Sequence, residues 1–210
     1  MNKEIFIQNI RSAAKHEICD LVIKNIKIID VFQNDIFTSD VAVNNGYIVG
    51  IGSYDGKTII DGTNKYICPG LIDAHAHIES SLTTPNEYYK GALIHGITSM
   101  ITDPHEIANV LGIKGIKLMM KLSENLPLDF YFMLSSCVPA TNFESSGAKL
   151  ESNDLLPLYN DNRVLGLAEV MSYPAVLNCE ENMINKIWDA TEKGLVIDGH
   201  GAGFDETMIN

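Results

Sequence analysis

Apolar and polar residues follow two different rhythms along this chain, and the change comes at Pro69-Gly70. From Leu21 to Ile67, short β-branched runs occur at Leu21-Val22-Ile23, Ile26 to Val31, Val41-Ala42-Val43, Tyr47 to Ile51, Thr58 to Ile60 and Tyr66-Ile67. Asn44-Asn45-Gly46, Asp55-Gly56 and Asp61-Gly62 divide them, residues that tolerate positive φ at turns. The pattern predicts a small all-β module. Ahead of it, Glu4 to His16 sets Ile7, Ile10 and Ala14 at helical spacing and predicts a short leading helix.

Beyond Pro69-Gly70, apolar strands alternate with helical stretches, as in parallel βα units. Strands are expected to begin near Leu71, Ile97, Asp129, Arg163 and Leu195, about thirty residues apart, which suits one βα unit each. Between them, Thr84-Pro85-Asn86-Glu87 offers an N-cap, a proline at N1 and a capping-box glutamate, with Gly96 closing the far end. Ile107 to Glu124 and Glu180 to Lys193 are expected to be helical on the same grounds. Such units can close into an eight-stranded barrel or form an open doubly wound sheet, and periodicity does not choose between them.

Composition narrows the class only a little. With 46% hydrophobic and 20% charged residues, the 210-residue chain can bury a core. A net charge of −12 without a basic cluster argues against nucleic acid and anionic membrane surfaces as partners. Met1 to Asn9 carries neither a signal-like apolar segment nor a membrane span, so a cytoplasmic location is expected. Cys19, Cys68, Cys137 and Cys179 have no CxxC spacing and are read as reduced, mostly buried thiols.

The strand ends carry the chemistry. Residues two apart on a strand share a face, so His75 and His77, closing Leu71-Ile72-Asp73, can present two imidazoles to one ion. Asp103-Pro104-His105-Glu106 follows the next strand, where an ordinary helix start explains the two acids equally well. Glu169 ends Val164-Leu165-Gly166-Leu167-Ala168 and needs a cation or a strong hydrogen-bond partner in so apolar a setting. His200 follows Leu195 to Gly199 and precedes the loop Gly201-Ala202-Gly203. Ser135-Ser136-Cys137-Val138-Pro139-Ala140-Thr141, after the third strand, is able to contact substrate but offers no evident acid or base, and no catalytic role is assigned to it. His16 and His95 fit structural roles in helices. Four of five strands ending in metal-ligating or proton-transferring residues is what a barrel with its site on the C-terminal face would give. The expected fold is therefore α/β: a small β-sandwich-type module, then a partial TIM-like (β/α) barrel.

The segments PGLIDAHAHIESSLTTP, ITDPHEIANVLG, SSCVPAT, GLAEVM and DGHGAG together resemble the adenine deaminases of the amidohydrolase superfamily. PGLIDAHAH marks the superfamily, whereas HIESS, DPHEIANV and GLAEVM are specific to the deaminases. The resemblance implies residues 1–68 as leading helix and β module and 69–210 as the first five βα units of an amidohydrolase barrel. It implies hydrolysis of a C–N bond of a cyclic amidine, adenine giving hypoxanthine and ammonia in purine salvage. The centre would hold divalent manganese or iron, binuclear in the complete enzyme, for which the resemblance allows a homo-oligomer. By motif, His75, His77, Glu169 and His200 match metal ligands, and Asp103 matches an acid of the active site, with Asp103 or Glu169 moving the proton. Two departures stand out: Gly201-Ala202-Gly203 replaces Ala-Pro-Gly, and Ser135 stands where a proline is often found.

Further ligands expected from the family, a histidine and an aspartate on later strands, have no counterpart in the 210 residues. An N-terminal fragment or truncated frame is expected, poorly stable alone with two open strand edges. An amidohydrolase acting on another purine or cyclic amide, or an inactive fragment, are the alternative readings.

Overall fold

The computed structural model describes residues 1–141, 143–201, 203 and 205. The chain divides into two compact units, Met1–Pro69 and Gly70–Asn210.

The first unit begins with helix α1 (Lys3–Ala13), capped by the Asn2 side chain, which accepts from the Ile5 N–H. The helix stops at Ala13 rather than at His16, because Lys15 turns left-handed (φ 61°) and the His16 N–H reaches back to the Arg11 carbonyl. Strands β1 (Cys19–Asp30), β2 (Asp35–Asn44), β3 (Tyr47–Ile51), β4 (Gly56–Asp61) and β5 (Tyr66–Ile67) form one mixed sheet in the order β3-β2-β1-β4, with β5 also beside β1. The runs at Leu21 and Ile26 are a single long strand, its register shifted around Asn25, which has a φ of 56°. Asn45 (φ 50°) and Gly46 (φ 77°) make the two-residue turn between β2 and β3. Cys19, Val22 and Ala42 form one small core, and Ile26, Ile28 and Val41 a second.

In the second unit, β6 (Leu71–Ala76), β7 (Ile97–Thr102), β8 (Asp129–Ser135), β9 (Val164–Val170) and β10 (Val196–Gly199) make a parallel sheet in sequential order. All five begin within a residue of the positions expected from sequence. The sheet is curled as part of a barrel. Helices α2 (Pro85–Ile94), α3 (His105–Leu111), α4 (Ile113–Leu122), α5 (Ser152–Leu155), α6 (Tyr173–Leu177) and α7 (Glu181–Glu192) connect the strands, with 3-10 turns at Ile78–Ser81 and Leu156–Asn160. Alternate residues of β8, namely Phe130, Phe132 and Leu134, join Met100 and Leu167 in one core with Ala92, Ile116, Met119 and Ala190 from the helices. That core fixes where each strand ends, and the strand ends carry the polar groups.

Three expectations need correcting. The stretch Ile107 to Glu124 is two helices, broken at Gly112, whose φ of 58° and ψ of −141° interrupt the helix. A side chain at Gly115 would also collide with the Ile107 carbonyl. Thr84 begins α2 with Pro85 behind it, but the capping box does not form: Glu87 pairs with Lys90 instead. Of the four free thiols only Cys19 and Cys137 are buried, while Cys68 and Cys179 are exposed. Among the described residues, no helix is long and apolar enough to cross a membrane.

A Cβ at Gly166, on β9, would overlap the carbonyl of Val196 on β10. Gly166→Ala is therefore expected to push β10 off the sheet and to cost roughly 1–3 kcal/mol, read as a lower urea midpoint; an unchanged midpoint would contradict this packing.

Candidate metal centre

The ends of β6, β7, β9 and β10 converge on one spot. Because alternate residues of β6 and the link after it face the same way, His75 and His77 both point there. One ligand-type atom from each of His75, His77, Asp103 and Glu169 lies within 4.8 Å of the others. Nε2 of His75 is 3.2 Å from Nε2 of His77 and 2.6 Å from Oε1 of Glu169, and Nε2 of His77 is 3.4 Å from that same oxygen.

Hydrogen bonds on the far side of each ring settle what those atoms present. Nδ1 of His75 faces the Asp198 carboxylate at 3.0 Å. Nδ1 of His77 faces the backbone carbonyl of Asp103 at 2.9 Å, with Oε2 of Glu106 at 3.3 Å. A carbonyl and a carboxylate only accept, so each Nδ1 carries a ring proton, and in the neutral ring each Nε2 is left with a lone pair. Two lone pairs and a carboxylate oxygen thus converge with no donor among them. Such a set repels itself unless a cation sits within it. In a tetrahedral site with metal–nitrogen bonds of about 2.0–2.1 Å, neighbouring ligand atoms stand about 3.3 Å apart, close to the 3.2 and 3.4 Å separations of His77 from His75 and Glu169. His75 and Glu169, at 2.6 Å, would have to part by under about 1 Å to admit the ion. The residues present therefore fit a divalent metal ion. The surrounding acids act in the same sense: burial pushes the His77 imidazole down, but Glu106, Asp103 and Glu169 more than offset this and hold it above its ordinary value.

Asp103 is fully buried, and it is not the helix cap that its position before α3 suggests; Pro104 occupies that place. One carboxylate oxygen accepts from the Ser135 hydroxyl at 3.0 Å, and the other faces Nδ1 of His105 at 2.7 Å. Nε2 of His105 lies 2.9 Å from the Cys137 carbonyl, so both ring nitrogens face acceptors. Burial works against a charged ring, yet the bond to Asp103, its charge and the Cys137 carbonyl raise the His105 pKa on balance. Glu169, on β9, is one-sixth exposed, and its backbone carbonyl accepts from Ser136 at 2.6 Å.

His200 stands apart from the other expected ligands: half of its side chain is exposed, and its Nδ1 is 3.9 Å from Oε2 of Glu169. Of the loop after it, Ala202 lies outside the described residues.

Several contributors escape a reading of the sequence. Asp198 orients His75, and its signal is a lone acid near the end of β10, two residues before His200. Glu79 accepts from the Ile107 N–H at 3.3 Å and Ser80 donates to Glu106 at 2.6 Å, so the 3-10 turn after β6 braces the first turn of α3. The other oxygen of Glu79 is buried without a hydrogen-bond partner among the described residues, and burial raises its pKa. The polar segment after β8, given no catalytic role from sequence, holds Asp103 through Ser135 and Glu169 through Ser136.

Comparison with known proteins places this geometry. The pattern of the amidohydrolase family matches residues 66–210, and that of the urease alpha-subunit N-terminal domain matches residues 5–73. An adenine deaminase of Bacillus pumilus is 50% identical over all 210 residues, 100% of this chain and 36% of that protein. One from Bacillus subtilis is 49% identical over the same length, again 36% of its own. The chain thus spans little more than a third of the curated relatives it matches. In fold it is similar to N-acyl-D-glutamate deacylase from Bordetella bronchiseptica, solved with zinc and a phosphonate inhibitor, with a TM-score of 0.59 at 16% identity, over 88% of this chain and 45% of that one.

Asp198→Ala is expected to weaken divalent-metal binding by about 10- to 100-fold, the usual cost of losing a group that orients a ligand imidazole. Equilibrium dialysis against manganese measures it, and an unchanged affinity would contradict the assigned tautomers.

Proposed function

The chain belongs to the amidohydrolase family, and from that premise we propose that it supplies the first metal ligands and two catalytic carboxylates of an adenine deaminase. The observation that carries the reading is the convergence of His75, His77 and Glu169, in a chain half identical to proteins named for adenine. The overall reaction is adenine plus water giving hypoxanthine and ammonia. The proposed setting is cytoplasmic purine salvage, with a small-molecule substrate and neither nucleic acid nor membrane as partner.

His75, His77 and Glu169 hold the ion in this reading, and His200 joins them as a fourth ligand, already beside the second oxygen of Glu169. Imidazole with carboxylate and no thiolate suits manganese or iron as the divalent ion, in a centre that is binuclear when its full ligand set is present. When bound, such an ion lowers the pKa of water from about 15.7 to about 7, so that a hydroxide is available at neutral pH.

What remains is proton traffic. C6 of adenine is a weak electrophile, and its amine departs as ammonia only once protonated. Glu169, against both imidazoles, is placed to take a proton as water adds to C6. Asp103, which accepts from the Ser135 hydroxyl and faces the His105 ring, is placed to relay the proton taken from water to the ring nitrogen and the departing amine. Positioned acid–base groups of this kind contribute typically about 10²- to 10⁴-fold to rate.

The test is ammonia release from adenine by the full gene product loaded with manganese or iron. Turnover is expected, and His75→Ala is expected to abolish both bound metal and turnover. A metal-loaded protein that left adenine untouched would sink the reading, and a His75→Ala variant that kept its metal would sink the ligand assignment.

A further inference from the structure

The residues Ser135 to Cys137, at the end of β8, link the side chain of Asp103 to the backbone of Glu169. Ser135 donates to the side chain of Asp103 at 3.0 Å, and Ser136 donates to the backbone carbonyl of Glu169 at 2.6 Å. The carbonyl of Cys137 accepts from His105, which in turn grips Asp103. All three residues of the segment are buried. One group holds the segment from outside: Lys186, in the middle of α7, donates from Nζ to the Ser136 carbonyl at 2.7 Å.

Lys186 is only 3% exposed, and among the described residues it forms no ion pair. Burial pushes its pKa down, against weaker pulls from Cys137, Glu151 and Asp154. A buried ammonium without a paired anion is costly, and an apolar side chain of similar length would ordinarily be tolerated there as well or better. Packing alone therefore does not account for a lysine at this position, whereas a charge-assisted bond to one chosen carbonyl does.

We propose that Lys186 is a positioning residue for the metal centre: by anchoring the Ser136 carbonyl it sets the segment Ser135–Cys137, and through it the placing of Asp103 and Glu169. Its Nζ bonds the Ser136 carbonyl rather than any proposed ligand, so it acts one hydrogen bond further out than the groups already described. The inference rests on the metal-site reading above, but its first measurement does not need adenine.

The experiment is the manganese dissociation constant, the urea midpoint and the steady-state kinetics of Lys186→Met in the full gene product. The dissociation constant is expected to rise about tenfold or more, with kcat falling by a similar factor. The KM for adenine and the urea midpoint are expected to stay near the wild-type values. A merely structural lysine would move the midpoint and leave the metal affinity alone. Ser136→Ala, which removes the bond to Glu169 and leaves Lys186 in place, carries the same test if the lysine variant does not fold. In the double variant the losses are expected to be less than additive, because both act through one segment. Unchanged manganese affinity in Lys186→Met, or fully additive losses in the double variant, would overturn the proposal. Wild-type protein that bound manganese but did not deaminate adenine would refute the deaminase reading instead, and the affinity comparison would still decide the role of Lys186.

Discussion

Three atoms that all act as acceptors when the imidazoles are neutral, Nε2 of His75, Nε2 of His77 and Oε1 of Glu169, meet at the end of the parallel sheet. Unscreened lone pairs at such separations repel, so the arrangement is at rest only around a positive charge. Much of the surrounding polar structure serves to keep those atoms facing inward. Asp198 and the Asp103 carbonyl take the far side of each imidazole, and Ser136 holds the backbone behind Glu169.

The scaffold makes this affordable by separating apolar from polar along each strand. Side chains such as Phe132 and Leu134 fill the layer beneath the helices, while Ser135 and Ser136, next along the chain, meet the two acids. The strand ends are thus rigid where they leave the core, and a ligand set spread over the ends of three strands keeps its geometry without depending on a long loop.

Strand positions in the second unit were legible because strands of a parallel sheet read as apolar runs bounded by glycine and polar residues. His75 and His77 were legible for a simple reason, the period of two along a strand. Glu169 stood out as an acid closing an apolar run. The break at Gly112 was not legible, since a glycine within a helical pattern is tolerated or breaks the helix according to tertiary contacts, here beside Ala148 and Leu150. The outer groups were hidden for a related reason. Asp198, Ser135 and Lys186 owe their roles to partners 123, 32 and 50 residues away, and no local spacing encodes such pairs. The family resemblance supplied the ligand identities, while the tautomers and the bracing between the 3-10 turn and α3 came only from the structure.

The most direct test of the central claim is the electron–nuclear coupling spectrum of the manganese-loaded protein. Two inequivalent imidazole nitrogens coupled to the metal are predicted, one from His75 and one from His77. A spectrum showing only oxygen ligands, with no nitrogen coupling, would contradict the account.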